Sequence, residues 1–327
     1  MSSGKIMRQL IKAGAAGDLV AFRQVSAEVI REERLKQHHL LANDLEQILY
    51  GHAKPHATSS MSHLMPAVPT DKERGLPLLD IRQPQRTLEE MVLPRLTQAS
   101  IEELLEEHRR QDVLRSYGMR ASDKILFFGP PGCGKTLAAE VIACELDLPL
   151  AIVRLDALVS SYLGETAANL RKVFDFIAQY PLVALFDEFD ALGKERADNS
   201  EHGELRRVVN AVLQMMDAYQ GKSLIIAATN HEQILDSAVW RRFDDTLEFP
   251  LPTPELLPQV LKLKLRGVRR QFENDDTEAT TLFTGMSPAD IERVARRAIK
   301  RMILRNQEFL TLKDLTLAKE RELRPTV

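Results

Sequence analysis

Gly129-Pro130-Pro131-Gly132-Cys133-Gly134-Lys135-Thr136 has the composition of a phosphate cradle. Its three glycines let the backbone turn tightly and aim N–H groups inward at the positive end of the helix that LAAEVIACEL would form. Lys135 would reach the terminal phosphates of a bound nucleotide, and the Thr136 hydroxyl would ligate magnesium. A purely structural glycine turn is the competing reading; a strand before the loop and a helix after it argue against that.

A second group of polar residues lies about fifty residues on, in LVALFDEFDALGKER. Asp187 leaves the carboxyl end of an apolar run, where ligands of open α/β sheets bind, and would hold magnesium through its water shell. Glu188 faces the other way and would polarise a water for attack on the terminal phosphate. Alone, an Asp-Glu pair is a solvated strand end; behind a phosphate loop in the same sheet it is a candidate site. Asn230, after the run SLIIAA, would hydrogen-bond that water or phosphate, or else close a turn. Arg241 and Arg242 are either a surface pair or cations supplied to the site of a neighbouring subunit.

The elements that must position these groups alternate in type. Short apolar runs at 124–128, 150–155, 182–186, 223–228 and 246–249 are separated by helical patterns. Continuous apolar strands between helices predict an α/β domain over 86–252, with a parallel five-stranded sheet covered on both faces. From Thr253 to Val327 only helical spacing remains, which predicts a small helical domain. Residues 1–50 read as a bundle of two or three helices and 51–85, rich in proline, serine and threonine, as a flexible linker. His52, His56 and His63 in that linker have no acidic or cysteine partner at fixed spacing, which argues against a metal site.

Bulk composition narrows the partners. The 44 basic and 47 acidic residues of the 327 nearly cancel, to −3, so no overall field draws the chain to nucleic acid or an anionic membrane. No run is apolar for about eighteen residues, and the opening lacks a signal-peptide core, so a soluble cytoplasmic protein without membrane insertion is expected. Cys133 and Cys144 make no metal-ligand pattern and read as free thiols.

Taken together, these motifs resemble those of the AAA family of ATPases, a branch of the P-loop NTPases. GPPGCGKT is similar to its Walker A motif, LVALFDEFDAL to Walker B, IIAATN to the sensor 1 strand, and AVWRRFDDTLEFPLP to the second region of homology with its arginine fingers. The paired Arg241 and Arg242 are most similar to those of the katanin and spastin clade. Ser287-Pro288-Ala289-Asp290-Ile291 resembles the start of the family's lid helix, with proline in place of glycine. The resemblance implies ATP as substrate, Mg2+ as cofactor, and a homo-oligomer, commonly a hexamer. It also places SSYLGET at the family's first pore loop, where Tyr162, Leu163 and Gly164 would grip an extended polypeptide; packing on the sheet edge is the alternative for that apolar pair. The family's adenine-cupping glycine segment has no counterpart here, leaving Tyr117 and Gly118 as nearby candidates.

Three functions remain open on these grounds. One is a motor that unfolds or threads a protein partner recruited by residues 1–50. The second is a switch whose ATP-driven assembly activates an effector such as a protease or nuclease. In the third, the basic helix RVARRAIKRMILR, with Arg293, Arg296, Arg297, Lys300 and Arg301 on one face, would contact nucleic acid. The absence of interleaved aromatics argues against that last reading.

Overall fold

Apolar runs that cannot present either face to water become the middle of a sheet. In the computed structural model of the protein, the described residues are 67–322 apart from 73, 159–162, 193–210 and 235–236, together with residues 25, 26 and 29. Strands β1 (Leu79–Arg82), β2 (Lys124–Phe128), β3 (Leu150–Val153), β4 (Val183–Phe186), β5 (Leu224–Thr229) and β6 (Asp245–Glu248) form one sheet in the order β1-β3-β4-β5-β2-β6. Every residue of β4 and β5 is buried, as a strand covered on both faces requires. In the edge strand β6 only Leu247 is buried.

The sheet has six strands, not five, and is not wholly parallel. β1 lies in the stretch read as linker and pairs antiparallel with β3, from Leu79 opposite Val153 to Arg82 opposite Leu150. Its four residues sit between Pro77 and Pro84 and bury only Leu79, so they carry almost no periodic signal. The remaining pairings are parallel. The register sets Phe128 beside Thr229 and Phe186 beside Ala227, so β2, β4 and β5 end at one edge.

Helices α1 (Arg95–Arg109), α2 (Gln111–Ser116), α3 (Lys135–Glu145), α4 (Leu155–Leu158) and α5 (Leu163–Gln179) are interleaved with the strands, and a short helix, α6 (Ser237–Trp240), precedes β6. Between residues 87 and 117 the chain is not one continuous helix, with Pro94 at the start of α1 and Arg110 between α1 and α2. The Thr97 hydroxyl donates to the Glu248 carbonyl at 2.8 Å and ties α1 to β6. One hydrophobic core lies against the sheet and includes Ile101, Leu104, Phe127, Ile142, Leu185 and Ile226.

A second core belongs to α7 (Leu257–Lys264), α8 (Thr277–Phe283), α9 (Pro288–Leu304) and α10 (Leu312–Glu322), built on Leu257, Leu261, Phe283, Ile291, Val294 and Leu315. Their starts are written in the sequence. Asp276 caps α8 by accepting from Glu278 N at 3.0 Å, and Ser287 caps α9, whose first residue is Pro288. No helix among the described residues is long and apolar enough to cross a membrane.

The chain divides into a unit of residues 1–66 and a unit from Ala67 onward. The helices expected in 1–50 lie outside the described residues, apart from positions 25, 26 and 29. At the start of the second unit, Asp71 is 4% exposed and its Oδ1 accepts from the Asn169 amide of α5 at 3.1 Å. Lys172, one turn on, donates to the Thr70 carbonyl at 2.9 Å. This buried polar contact fastens the segment leading into β1 to α5. A hydrogen bond to a buried carboxylate contributes about 1.5–3 kcal/mol. Asn169→Ala is therefore expected to lower the thermal midpoint by several °C, at about 2–4 °C per kcal/mol for a unit of this size. An unchanged midpoint in a melting scan would show that the contact contributes nothing.

Candidate active site

The phosphate-type loop is shaped by three left-handed glycines. β2 ends at Phe128 and the chain turns at Gly129, φ +131°, where a side chain would collide with the Phe249 backbone oxygen. Gly132 has φ +75° and Gly134, which precedes α3, has φ +99°. Pro130, Pro131 and Gly132 are exposed at the crest, whereas Cys133 is buried. Burial pushes the Cys133 thiol above its ordinary range, only partly opposed by the Lys135 charge.

Lys135 opens α3 and is 6% exposed. Its Nζ donates to the Gly129 carbonyl at 2.7 Å and to the Pro130 carbonyl at 2.8 Å, and burial lowers its pKa. The ammonium thus sits inside the curve of the loop, in a form that phosphate oxygens of opposite charge would stabilise.

Thr136 and Asp187 meet. The hydroxyl donates to Asp187 Oδ2 at 2.7 Å, joining the start of α3 to the end of β4. This hydroxyl and carboxylate are hard oxygen donors of the kind magnesium takes, so the residues suit that ion. Asp187 Oδ1 accepts from the Glu188 N–H at 2.9 Å. Glu188 itself has φ +52°, a conformation that costs a non-glycine residue about 1–2 kcal/mol. It thereby leaves the extended path of β4 and carries an exposed carboxylate. Strain at a carboxylate next to a phosphate-type loop is typical of functional positions.

Asp190, on the 3-10 turn Phe189–Leu192, is a residue that motif reading passes over. It is 2% exposed, and its Oδ1 accepts from Thr229 Oγ1 and from Asn230 N, both at 3.2 Å. It fixes the end of β5 against the end of β4 and so sets where Asn230 begins. Its spacing, three residues after Asp187 in DEFD, was the available signal.

The two arginines differ. α6 packs beneath them through Trp240, whose ring meets Phe128 edge-on at 5.1 Å. Arg242 Nε donates to Asp217 Oδ2 of the same chain at 2.8 Å, while Arg241 is exposed. Of the pore-loop candidates, Tyr162 lies outside the described residues; Leu163 and Gly164 are the first two residues of α5. Tyr117, a candidate adenine neighbour, is 81% exposed.

Two further contacts surround the loop. A side chain at Gly134 would touch Met91 Cε at 3.4 Å, and Val92 packs on the carboxy-terminal core. The Ala289 N–H, in the first turn of α9, donates to the Gly132 carbonyl at 3.2 Å. A Cβ at Gly132 would lie 2.6 Å from Ser287 Oγ. Ser287 reads in sequence only as a helix cap; its approach to the loop is a tertiary contact with no local signature.

Gly118 has nearly the same backbone, φ +74°, yet a Cβ there would meet nothing within 4 Å. Gly118→Ala is thus expected to cost only backbone strain, about 1–2 kcal/mol, whereas Gly132→Ala adds the clash with Ser287 and should also weaken nucleotide affinity at least about tenfold. Equal effects of the two in melting and nucleotide titration would refute the close approach of α9. The raised Cys133 pKa means less thiolate at pH 8, so its alkylation by iodoacetamide should run slower than that of free cysteine. Peptide mass spectrometry over time reads this directly.

Residues 125–251 match the family described as AAA, ATPase family associated with various cellular activities. The chain is also 41% identical over 325 residues to the uncharacterized AAA family ATPase y4kL of Sinorhizobium fredii, covering 99% of this chain and 96% of that one. Identity of that degree over nearly the whole of both proteins shows common family membership, and with it the activity that the loop and its carboxylate neighbours suggest: this chain belongs to the AAA family and is an ATPase.

Proposed function

We propose that this ATPase assembles into a ring of six copies and uses hydrolysis to draw a protein substrate through a central channel. The observation that carries the hydrolytic part of the reading is the 2.7 Å contact between Thr136 and Asp187, which brings the loop and the strand end to one oxygen-lined point beside Glu188. In this reading the loop N–H groups from Gly129 to Thr136 and the Lys135 ammonium bind the phosphates. Glu188 takes the proton of the attacking water, and Asn230 orients that water or the terminal phosphate. Thr136 and Asp187 would hold a magnesium ion, whose charge when bound offsets that of the phosphates.

The exposure of Arg241 supports a role at a neighbour's site, and the tie of Arg242 to Asp217 supports a role in holding that segment in place. Residues 253–327 act as the lid. Substrate contact falls to Tyr162, Leu163 and Gly164 by resemblance to the family's pore loop, and residues 1–50 recruit the partner.

Lys135→Ala is expected to reduce ATP affinity at least about tenfold, the scale of a lost charge-assisted hydrogen bond. Glu188→Gln should bind ATP yet turn it over about 100-fold or more slowly; near-normal turnover removes Glu188 from the base role. Arg241→Ala should hydrolyse poorly alone and regain activity when mixed with Lys135→Ala, because each supplies what the other lacks. No recovery at any ratio would contradict action between subunits. For the whole reading, Glu188→Gln protein isolated in ATP is weighed as a particle with whatever it retains. Six copies holding a polypeptide that Tyr162→Ala releases is the expected result. A partner held regardless of Tyr162 would instead support an assembly switch that activates an effector.

A further inference from the structure

The basic helix of the sequence is neutralised along only part of its length. Arg293 pairs with Asp290 and with Glu322, Arg296 with Glu292, and Arg297 with Glu322 at 2.7 Å. Past this point the pattern stops. Lys300, Arg301 and Arg305 at the end of α9, and Arg321 on α10, have no ion-pair partner among the described residues. These four, with Arg297, line a groove of about 310 Å3 between the two helices, and no carboxylate among the described residues lines it.

Cations in the last turn of a helix are ordinary, since they offset the negative end of its dipole. That accounts for Lys300, Arg301 and Arg305. Arg321 lies likewise in the last turn of α10; the two dipoles do not account for the meeting of both sets of cations in one groove. Like charges gathered from two elements repel each other until an anion lies between them.

The groove also has an apolar side. Leu304 and Leu317 line it with Ala318, and Leu304 is 84% exposed, as is its neighbour Ile303 at 61%. An exposed leucine amid cations suits a ligand that carries an apolar side chain together with negative charge. No aromatic among the described residues lines the groove, so the usual stacking platform for nucleic-acid bases is missing from them.

We propose that this groove between α9 and α10 is a docking site for an acidic peptide segment bearing an aliphatic side chain, belonging to a partner protein. Carboxylates would pair with Lys300, Arg301, Arg305 and Arg321, and the aliphatic group would cover Leu304. The site is separate from the loop at 129–136 and stands whether or not the threading reading does.

The test uses the full chain and a fluorescein-labelled peptide of about twelve alternating glutamates and leucines, with anisotropy read at low and raised salt, since exposed pairs weaken as the screening length shortens. Binding should fall with salt, drop at least about tenfold in Lys300→Glu/Arg301→Glu/Arg305→Glu, and drop severalfold in Leu304→Ser, whose exposed position leaves the fold unaffected. Arg296→Glu, at the neutralised end, should change it little. Absence of peptide binding at low salt overturns the proposal. So does tighter binding of a single-stranded oligonucleotide of equal charge that ignores Leu304→Ser, which would make the groove a phosphate-backbone contact.

Discussion

Parallel pairing of β5 with both β4 and β2 is the constraint from which the site follows. Parallel neighbours deliver their carboxyl ends to the same edge, and strands stand about 4.8 Å apart across the hydrogen-bonding direction. β2 and β4 flank β5, so the loop after β2 and the carboxylate after β4 start on either side of it. What closes that gap is α3, which packs across β3, β4 and β5 and carries Thr136 in its first turn. Asp187 needs no unusual conformation to reach that hydroxyl. Glu188, one residue later, does adopt one.

The same arrangement decided what could be read from the sequence. Strands β2, β4 and β5 are buried on both faces, so their apolar runs are nearly continuous and their ends fell within a residue or two of the observed ones. β1 escaped because an edge strand of four residues needs only one buried side chain, and Leu79 between prolines looks like part of a linker. The loop residues and the Asp-Glu pair were legible since their spacing is set by local backbone turns. Met91 and Ser287 were not, and Asp190 showed only through its spacing from Asp187, since each acts through a residue at least 39 positions away.

Adjacency in sequence also concealed a difference in surroundings between Arg241 and Arg242. Nothing in the dipeptide distinguishes them. The distinction comes from residue 217, whose carboxylate holds one and leaves the other in solvent. Exposed pairs of this kind are individually weak, at about 0–1 kcal/mol. Here geometry rather than energy matters, because a fixed neighbour limits the directions from which an adjacent long side chain can extend.

The hydrogen bond from Ala289 to the Gly132 carbonyl makes the loop and α9 a single mechanical joint. The carboxy-terminal helices share a core of their own, so a displacement of α9 would carry its neighbours with it. Thermodynamic linkage then runs both ways: if filling the loop changes how firmly α9 seats, displacing α9 must change the loop's affinity by the same factor. A partner that pulled on the carboxy-terminal helices would thereby adjust nucleotide retention without touching the nucleotide.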